Sequence, residues 1–229
     1  MSKVFASLGM SLDGFIAGPN SRPDNPLGDG GMRIHEWVFG VESWRERQSI
    51  KGGETNQDDD IVQENFSRAG AYIMGRQMFA EGETGWPDPP PFRAPVFVLT
   101  HTPREPWVRQ GGTTFTFVSE GIDSALTQAR KAAGDKDVQI SGGADTVRQY
   151  LSAGLLDELQ IHLAPLVLGS GVRLFDGVSP GLGLVPTRVV DSPQVTHLTY
   201  RITAREPAGE GAAGDSNGGC RVADRDADA

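Results

Sequence analysis

Two places along the chain combine glycine with the predicted start of a helix, a combination that can bind phosphate. In AYIMGRQMF a buried strand is predicted to end at Gly75, and a helix begins at once with Arg76. In VQISGGADTVRQYL a second strand ends at Gly142-Gly143, ahead of another helix. A helix start offers backbone N–H groups and partial positive charge, and glycine lets an anion approach the backbone closely. The guanidinium of Arg76 would add a fixed charge that suits phosphate.

The two junctions together suggest more than either does alone. The carboxyl ends of neighbouring parallel strands meet at one edge of a sheet, so two such turns can hold an extended dinucleotide. Each junction is also consistent with an ordinary tight turn, and neither has the spacing of the G-x-G-x-x-G fingerprint. The pattern therefore indicates an anion-binding edge and leaves the ligand open.

Other reactive groups are missing from the sequence or have a simpler explanation. Asp58, Asp59 and Asp60 stand where a helix should begin, and acidic residues are favoured in a first turn. No histidine or fourth carboxylate stands beside them at ligand spacing, so helix capping is preferred over metal binding. The one cysteine, Cys220, lies near the C-terminus, and there is no G-x-S-x-G motif. Thiol catalysis, a cysteine-based zinc site and a serine nucleophile elbow are thereby excluded.

The elements that must position the two turns follow from hydrophobic periodicity. Strands alternate with helices between about residues 60 and 160, which predicts a mainly parallel sheet with helices on both faces. A closing pair of strands joined at Ser192-Pro193 predicts an antiparallel C-terminal edge. One helix is expected over residues 32–47, and His162 is expected on a face of the sheet. The other predicted strands cover residues 3–10, 71–74, 96–100, 113–119 and 137–141 and begin again at 158.

Length and composition predict one domain over residues 1–205, followed by a disordered, acidic and glycine-rich tail over residues 206–229. The chain has 229 residues and is 38% hydrophobic, which is enough for a core, whereas the tail has almost no apolar side chains. The net charge of -9 disfavours binding to nucleic acid or to an anionic membrane. No stretch resembles a signal peptide or approaches the roughly 18 apolar residues of a membrane span. A cytoplasmic protein is therefore expected.

Five motifs in a fixed order resemble a known group of enzymes. SLDGFIAG, MGRQMF, VFVLTHTPRE, ISGGADTVRQYL and GLLDELQIHLAPLVLGSGVRLFD follow one another over roughly residues 3–205. Their order resembles the reductase domain of riboflavin biosynthesis and, more widely, the dihydrofolate reductase superfamily. The resemblance implies a dihydrofolate reductase-like, three-layer α/β fold, NADPH as the cofactor and a homodimer.

The resemblance also implies where the cofactor would bind. The MGR turn would hold a phosphate, and the LTHTPR segment would hold the adenosine ribose and 2′-phosphate. The SGGADT segment would lie under the pyrophosphate, and SLDGFIAG would lie near the nicotinamide. The candidate cofactor contacts are Ile16, Ala17, Gly75, Arg76, Gln77, Thr100, His101, Thr102, Arg104, Gly142, Gly143, Ala144, Asp145 and Thr146.

Two acidic residues are candidates for a catalytic role. Asp13 stands where this family carries an aspartate near the active-site entrance, although Asp-Gly is also a common turn sequence. Dihydrofolate reductases supply a substrate-binding acid from a helix in this part of the chain, and Glu36 is the nearest candidate. The local sequence departs from that pattern, so the resemblance does not identify the substrate.

The motifs predict an NADPH-dependent reductase that transfers a hydride to a C=N or C=O bond of a small heterocyclic, pterin- or pyrimidine-like substrate. In such an enzyme the cofactor carries the chemistry, and the protein supplies orientation and a proton source. Two alternatives stay open because fold does not fix function. One is a non-catalytic or regulatory nucleotide-binding protein, and the other is a reductase that uses a flavin or deazaflavin.

Overall fold

One large β-sheet runs through the structure, a computed structural model that describes residues 2–203. The strands are β1 Val4–Ser11, β2 Phe15–Ala17, β3 Ala69–Gly75, β4 Val96–Leu99, β5 Trp107–Val108, β6 Thr114–Val118, β7 Asp137–Gly142, β8 Glu158–Ala164, β9 Val172–Arg173, β10 Gly183–Asp191 and β11 Thr196–Thr203. The sheet has the order β10-β11-β8-β1-β7-β3-β4-β6-β5, and β2 and β9 form a separate ribbon. The tail predicted over residues 206–229 lies outside the described residues.

The strand directions confirm the predicted sheet. The pairs from β8 through β1, β7, β3 and β4 to β6 are all parallel. β11 pairs antiparallel with β8, and β10 pairs antiparallel with β11, which gives the expected C-terminal edge. β5 adds a short antiparallel strand at the opposite edge, which the sequence does not predict.

Helices cover both faces of the sheet. They are α1 Glu36–Phe39, α2 Glu42–Arg47, α3 Gln57–Arg68, α4 Arg76–Gly82, α5 Ile122–Ala133 and α6 Ala144–Ser152, with 3₁₀ helices at Gly31–His35 and Gln110–Gly112. Side chains alternate along β1, so Val4 and Ala6 join a core with α5 and α6, whereas Phe5 joins a core that includes Phe79 of α4. The predicted three-layer α/β fold, with a mainly parallel sheet and helices on both faces, is therefore confirmed.

The prediction of one helix over residues 32–47 is wrong. This stretch forms the 3₁₀ helix Gly31–His35 and then α1 and α2, with a break at Gly40 and Val41. Val41 has an extended backbone and is buried, so it anchors the break in the core. Apolar spacing alone could not show the break, although glycine is a poor helix former.

The acidic residues at the start of α3 have structural roles. The side chain of Asn56 caps the helix by accepting hydrogen bonds from the backbone N–H groups of Asp58 and Asp59. The Asp59 carboxylate accepts a hydrogen bond of 2.7 Å from the backbone N–H of Ser43. Within residues 2–203 no group of histidine, cysteine and acidic side chains could hold a metal ion, and no helix there is long and apolar enough to cross a membrane.

Candidate functional site

A cavity of about 470 Å³ follows the carboxyl halves of five adjacent strands. Leu8 of β1, Gly142 of β7, Gly75 of β3, Leu99 of β4 and Val118 of β6 all line it. Four strand spacings of about 4.8 Å make this edge of the sheet about 19 Å long. The cavity can therefore take an extended ligand that contacts several strand ends at once.

The structure brings most of the predicted cofactor contacts together in this cavity. Thr102 and Arg104 are the two that do not line it. The predicted contacts that do are Ile16, Ala17, Gly75, Arg76, Gln77, Thr100, His101, Gly142, Gly143, Ala144, Asp145 and Thr146. The prediction of a cofactor site requires such a shared location, because a single bound cofactor must reach all of its contacts.

The start of α6 is open toward the cavity. Gly143 precedes the helix, and no side chain among residues 2–203 caps this helix start. A Cβ added at Gly143 would meet no atom within 4 Å. Gly142 has a φ of 129°, a region that side chains disfavour, and the peptide bond between the two glycines is cis. Since the first N–H groups of a helix have no intrahelical partner, this helix start can bind an anion.

Arg76 supplies the positive charge of the cavity. It is the one lysine or arginine among the described residues that line the cavity, and its side chain is exposed. The guanidinium makes no salt bridge within residues 2–203, in contrast to Arg148, which lies 2.7 Å from Asp145. Arg76 is therefore available to pair with an anionic ligand.

Thr102 and Arg104 point to local contacts instead of the cavity. The Arg104 guanidinium lies 2.6 Å from the carboxylate of Glu83 and 5.0 Å from the ring centre of Phe117. This salt bridge raises the pKa of Arg104 above its ordinary value. The backbone N–H of Thr102 donates a hydrogen bond of 3.1 Å to the hydroxyl of Thr100. The role of both residues in cofactor binding stays a prediction, and their contacts give it no support.

Asp13 forms hydrogen bonds that connect the segment after β1 to the loop that contains Leu168 and Gly169. Its carboxylate accepts hydrogen bonds from the Ser11 hydroxyl at 2.6 Å and from the backbone N–H groups of Leu168 and Gly169 at 3.1 and 2.7 Å. The hydrogen bond from Ser11, with the two backbone bonds, lowers the pKa of Asp13 to about 2. Such a group is ionised at neutral pH and is a poor proton donor there. A catalytic role for Asp13 stays a prediction, whereas its contacts favour a structural role.

Glu36 and its neighbour His35 have different surroundings. Glu36 is exposed at the start of α1 and does not line the cavity, so its predicted catalytic role gains no support. His35 lines the cavity, and sequence reasoning did not single it out. Burial lowers the pKa of His35 to about 4, so its ring is neutral near pH 7. Successive helical residues point in different directions, and the local helix geometry decides which of the two faces the cavity.

A chain of buried polar groups lies on the α3 side of the sheet. The Ser7 hydroxyl is 2.7 Å from Nε2 of His162, and Nδ1 of His162 is 2.7 Å from Nδ1 of His197. Nε2 of His197 is 2.9 Å from the carboxylate of Asp58. If both rings are neutral, each can donate one hydrogen bond toward Asp58 and accept one from the Ser7 side.

Burial favours the neutral form of both histidine rings in this chain of polar groups. Burial, with a smaller effect of His197, lowers the pKa of His162 to about 3. Burial also lowers the pKa of His197, and Trp37 packs against both rings at centroid distances of 5.0 and 4.9 Å. The prediction that His162 lies on a sheet face is confirmed. The hydrogen bonds of His162 join β8 to β1 and β11, and that of His197 joins β11 to α3, so together they stabilise the packing of these elements.

The chain with this fold and cavity belongs to a known protein family. The RibD C-terminal domain family matches residues 2–197, and the chain is a member of that family. Across this length the chain therefore has the family and the fold of reductases of the RibD type, which confirms the predicted resemblance.

Individual relatives agree with this assignment. The chain is 25% identical over 202 residues to the uncharacterized protein YyaP of Bacillus subtilis (strain 168), with 86% of this chain and 94% of that protein covered. Its fold is similar to that of a diaminohydroxyphosphoribosylaminopyrimidine deaminase/5-amino-6-(5-phosphoribosylamino)uracil reductase from Thermotoga maritima, with a TM-score of 0.57, 16% identity and coverage of 88% of this chain and 57% of that chain. It is also similar to that of a pyrimidine reductase-like protein from Corynebacterium diphtheriae, with a TM-score of 0.54, 16% identity and coverage of 89% and 92%.

Proposed function

We propose that this protein is an NADPH-dependent reductase. Bound NADPH would supply a hydride to a C=N or C=O bond of a small heterocyclic substrate of the pyrimidine or pterin type. The observation that carries the proposal is the single cavity edge that joins the open start of α6 to Arg76. Membership in the RibD C-terminal domain family and the uracil reductase activity named for the Thermotoga maritima protein support the same reaction class.

The residues at the centre of the edge fit the phosphates of a dinucleotide. The open backbone at Gly142 and Gly143 leaves room for a pyrophosphate against the first turn of α6. Arg76 begins the neighbouring helix, and its guanidinium can pair with a phosphate in two-point geometry. Both features recognise phosphate groups. They therefore support cofactor binding and do not indicate any one substrate.

The two ends of the edge differ in polarity, which suggests the direction of the cofactor. Thr100 and His101 follow β4 toward the β6 end, where a ribose and its 2′-phosphate would find polar partners. Ile16 and Ala17 of β2 line the β1 end and offer an apolar wall for the nicotinamide ring. We therefore place the nicotinamide, and the substrate beside it, at the β1 end.

A loop that is hydrogen-bonded to α4 would help to exclude water from the β1 end of the cavity. The Ser21 hydroxyl donates a hydrogen bond to the carboxylate of Glu81, and the Gln77 amide donates to the same carboxylate at 2.9 Å. Leu27, from the same loop as Ser21, lines the cavity. A covered, mostly apolar site favours hydride transfer to the substrate because it limits access of water.

The proposal is tested by binding and turnover measured on the same preparation. Calorimetric titration with NADPH and with NADH measures the affinity for each cofactor. Loss of absorbance of the reduced nicotinamide then measures turnover over a panel of pterins, pyrimidine ribosides and quinones. Micromolar NADPH binding with turnover is expected. NADPH binding without turnover on any substrate would favour a regulatory protein, and visible absorbance of the purified protein would favour a flavin.

A further inference from the structure

His35 brings an unpartnered polar atom to the cavity. It is the last residue of the 3₁₀ helix Gly31–His35, and it lines the cavity. Its Nε2 atom is buried and has no hydrogen-bond partner within residues 2–203. Buried polar atoms in proteins nearly always have a partner. An unpartnered nitrogen on a cavity-lining side chain therefore points to a ligand that supplies the missing hydrogen bond.

Ser141 is a second, independent example in the same cavity. Its hydroxyl oxygen is buried without a partner in the described structure, and the residue lies on β7, which pairs with β1. His35 packs directly against β1, since a Cβ added at Gly9 would stand 2.9 Å from Cε1 of the His35 ring. Ser141 therefore lies on β7 and the His35 ring lies against the neighbouring strand β1, so both unpartnered groups are near the β1 end of the cavity.

Within residues 2–203 two carboxylates line the cavity, and each already has a hydrogen-bond or salt-bridge partner. Of the carboxylates that line the cavity, Glu81 accepts a hydrogen bond of 2.9 Å from Gln77, and Asp145 pairs with Arg148 at 2.7 Å. The His35 ring is neutral near pH 7, because burial lowers its pKa to about 4. A neutral imidazole offers one hydrogen-bond donor and one acceptor and carries no charge for a cationic ligand.

We propose that His35 is the specificity-determining residue of the substrate site, where its Nε2 atom hydrogen-bonds the polar edge of a neutral substrate. The edge that fits is a carbonyl next to a ring N–H. His35 is not the carboxylate with which a protonated, amino-substituted heterocycle would form a charged hydrogen bond, so it favours a neutral ligand. This inference rests on the proposed function, which puts the nicotinamide, and so the substrate, at the β1 end.

Two probes of similar size test the proposal: one is neutral, and the other is readily protonated. Uracil presents neutral carbonyl and N–H groups, and 2,4-diaminopyrimidine presents amino groups and takes up a proton readily. Each is titrated into the NADPH-saturated protein and followed by NMR. The ring nitrogens of His35 can be observed directly, since the chain has four histidines and the His35→Gln variant identifies the signal. The variants are His35→Leu, His35→Gln and His35→Asp, with the exposed neighbour Met32→Leu as the matched control.

The wild-type protein and Met32→Leu are expected to bind uracil more tightly than 2,4-diaminopyrimidine, with a shift of the His35 ring signals on uracil binding. His35→Leu should weaken uracil binding about tenfold, as expected for the loss of one buried hydrogen bond. His35→Asp should reverse the preference between the probes. NADPH affinity should change by less than about twofold in each variant, because His35 contacts the substrate and not the phosphates.

The two proposals fail in different ways. A wild-type protein that does not bind NADPH overturns the proposed function. A protein that binds NADPH, but takes up uracil no more tightly than the His35→Leu variant does, overturns the role of His35. Unmoved His35 ring signals on uracil binding overturn it too, and this measurement needs no variant to fold.

Discussion

The hydroxyl of Thr146, in the first turn of α6, occupies the space that a side chain on Gly75 would need. A Cβ added at Gly75 would stand 2.6 Å from the Thr146 hydroxyl oxygen, which is too close for two non-bonded atoms. Gly75 ends β3 and precedes α4, so the absence of a side chain there lets the two glycine turns approach each other. The two helix starts thus form one site, and each turn depends on the other for its position.

The substitution Gly75→Ala should disturb both turns. The added methyl group must displace Thr146, and overpacking of this kind costs about 1–3 kcal/mol. We expect a lower melting temperature and NADPH binding weakened by about tenfold, measured by thermal denaturation and calorimetry. Gly40→Ala is the control, because a Cβ at Gly40 meets no atom within 4 Å. NADPH affinity equal to that of the wild type in Gly75→Ala would show that the contact is unimportant.

The matched substitutions Arg76→Gln and Arg104→Gln should separate the cavity-facing arginine from the one paired with Glu83. A charged hydrogen bond contributes about 1.5–3 kcal/mol, so Arg76→Gln should lower NADPH affinity by about tenfold or more. Arg104→Gln should leave that affinity within about twofold, because the guanidinium is held by Glu83. Calorimetry with NADPH and NADH checks both variants. A larger loss of NADPH affinity in Arg104→Gln would show that Arg104 contributes to binding of the cofactor phosphate.

Folding stability should fall as pH drops from about 6.5 toward 5. Burial lowers the pKa of His162 to about 3 and that of His35 to about 4, from an ordinary value of 6.5. Below pH 6.5 the unfolded chain therefore binds protons that the folded chain does not. The unfolding free energy should decrease by about 2–4 kcal/mol over this window, measured by urea denaturation.

This window isolates the histidines from the carboxylates. Asp13, with a pKa of about 2, loses its stabilising charge only at lower pH. The His35→Gln variant should show a shallower dependence on pH, because one titrating ring is gone. An unfolding free energy that is constant between pH 6.5 and 5 would contradict the neutral, buried state of these rings.

Replacing Asp13 by asparagine should loosen a loop and leave the chemistry intact. The carboxylate accepts hydrogen bonds from Ser11, Leu168 and Gly169, and its loss should lower the melting temperature. Because the pKa of Asp13 is about 2, the pH profile of turnover above pH 4 should keep its shape. A loss of turnover by about a hundredfold or more with an unchanged melting temperature would instead mark a catalytic carboxylate.

The parts of the site that sequence could predict are those fixed by local backbone rules. A glycine between a buried strand and a helix start is a local pattern, so Gly75 and Gly142-Gly143 could be identified, as could the parallel sheet that aligns them. The paired histidines His162 and His197 could not, because their contact joins strands far apart in sequence.

The remaining differences between the predicted and the observed site come mainly from the directions in which side chains point. Arg104 follows a strand end in the expected place, yet the aromatic rings beneath it and Glu83 hold its guanidinium away from the cavity. Glu36 and His35 are adjacent in sequence within the single helix predicted over residues 32–47, whereas in the structure the 3₁₀ helix ends at His35 and α1 begins at Glu36. Which of the two faces the cavity depends on tertiary packing against Gly9.

The central claim is that the open start of α6 holds the cofactor pyrophosphate, and the substitution Gly143→Asp tests it most directly. Gly143 has a φ of -71°, which aspartate can adopt, and an aspartate there would cap the helix and place its own carboxylate in the anion site. We expect calorimetry to show NADPH binding weakened by about a hundredfold or more, with an unchanged or higher melting temperature. Gly40→Asp, which adds the same charge elsewhere, should bind NADPH like the wild type. A Gly143→Asp variant that is folded and binds NADPH with wild-type affinity would contradict the claim.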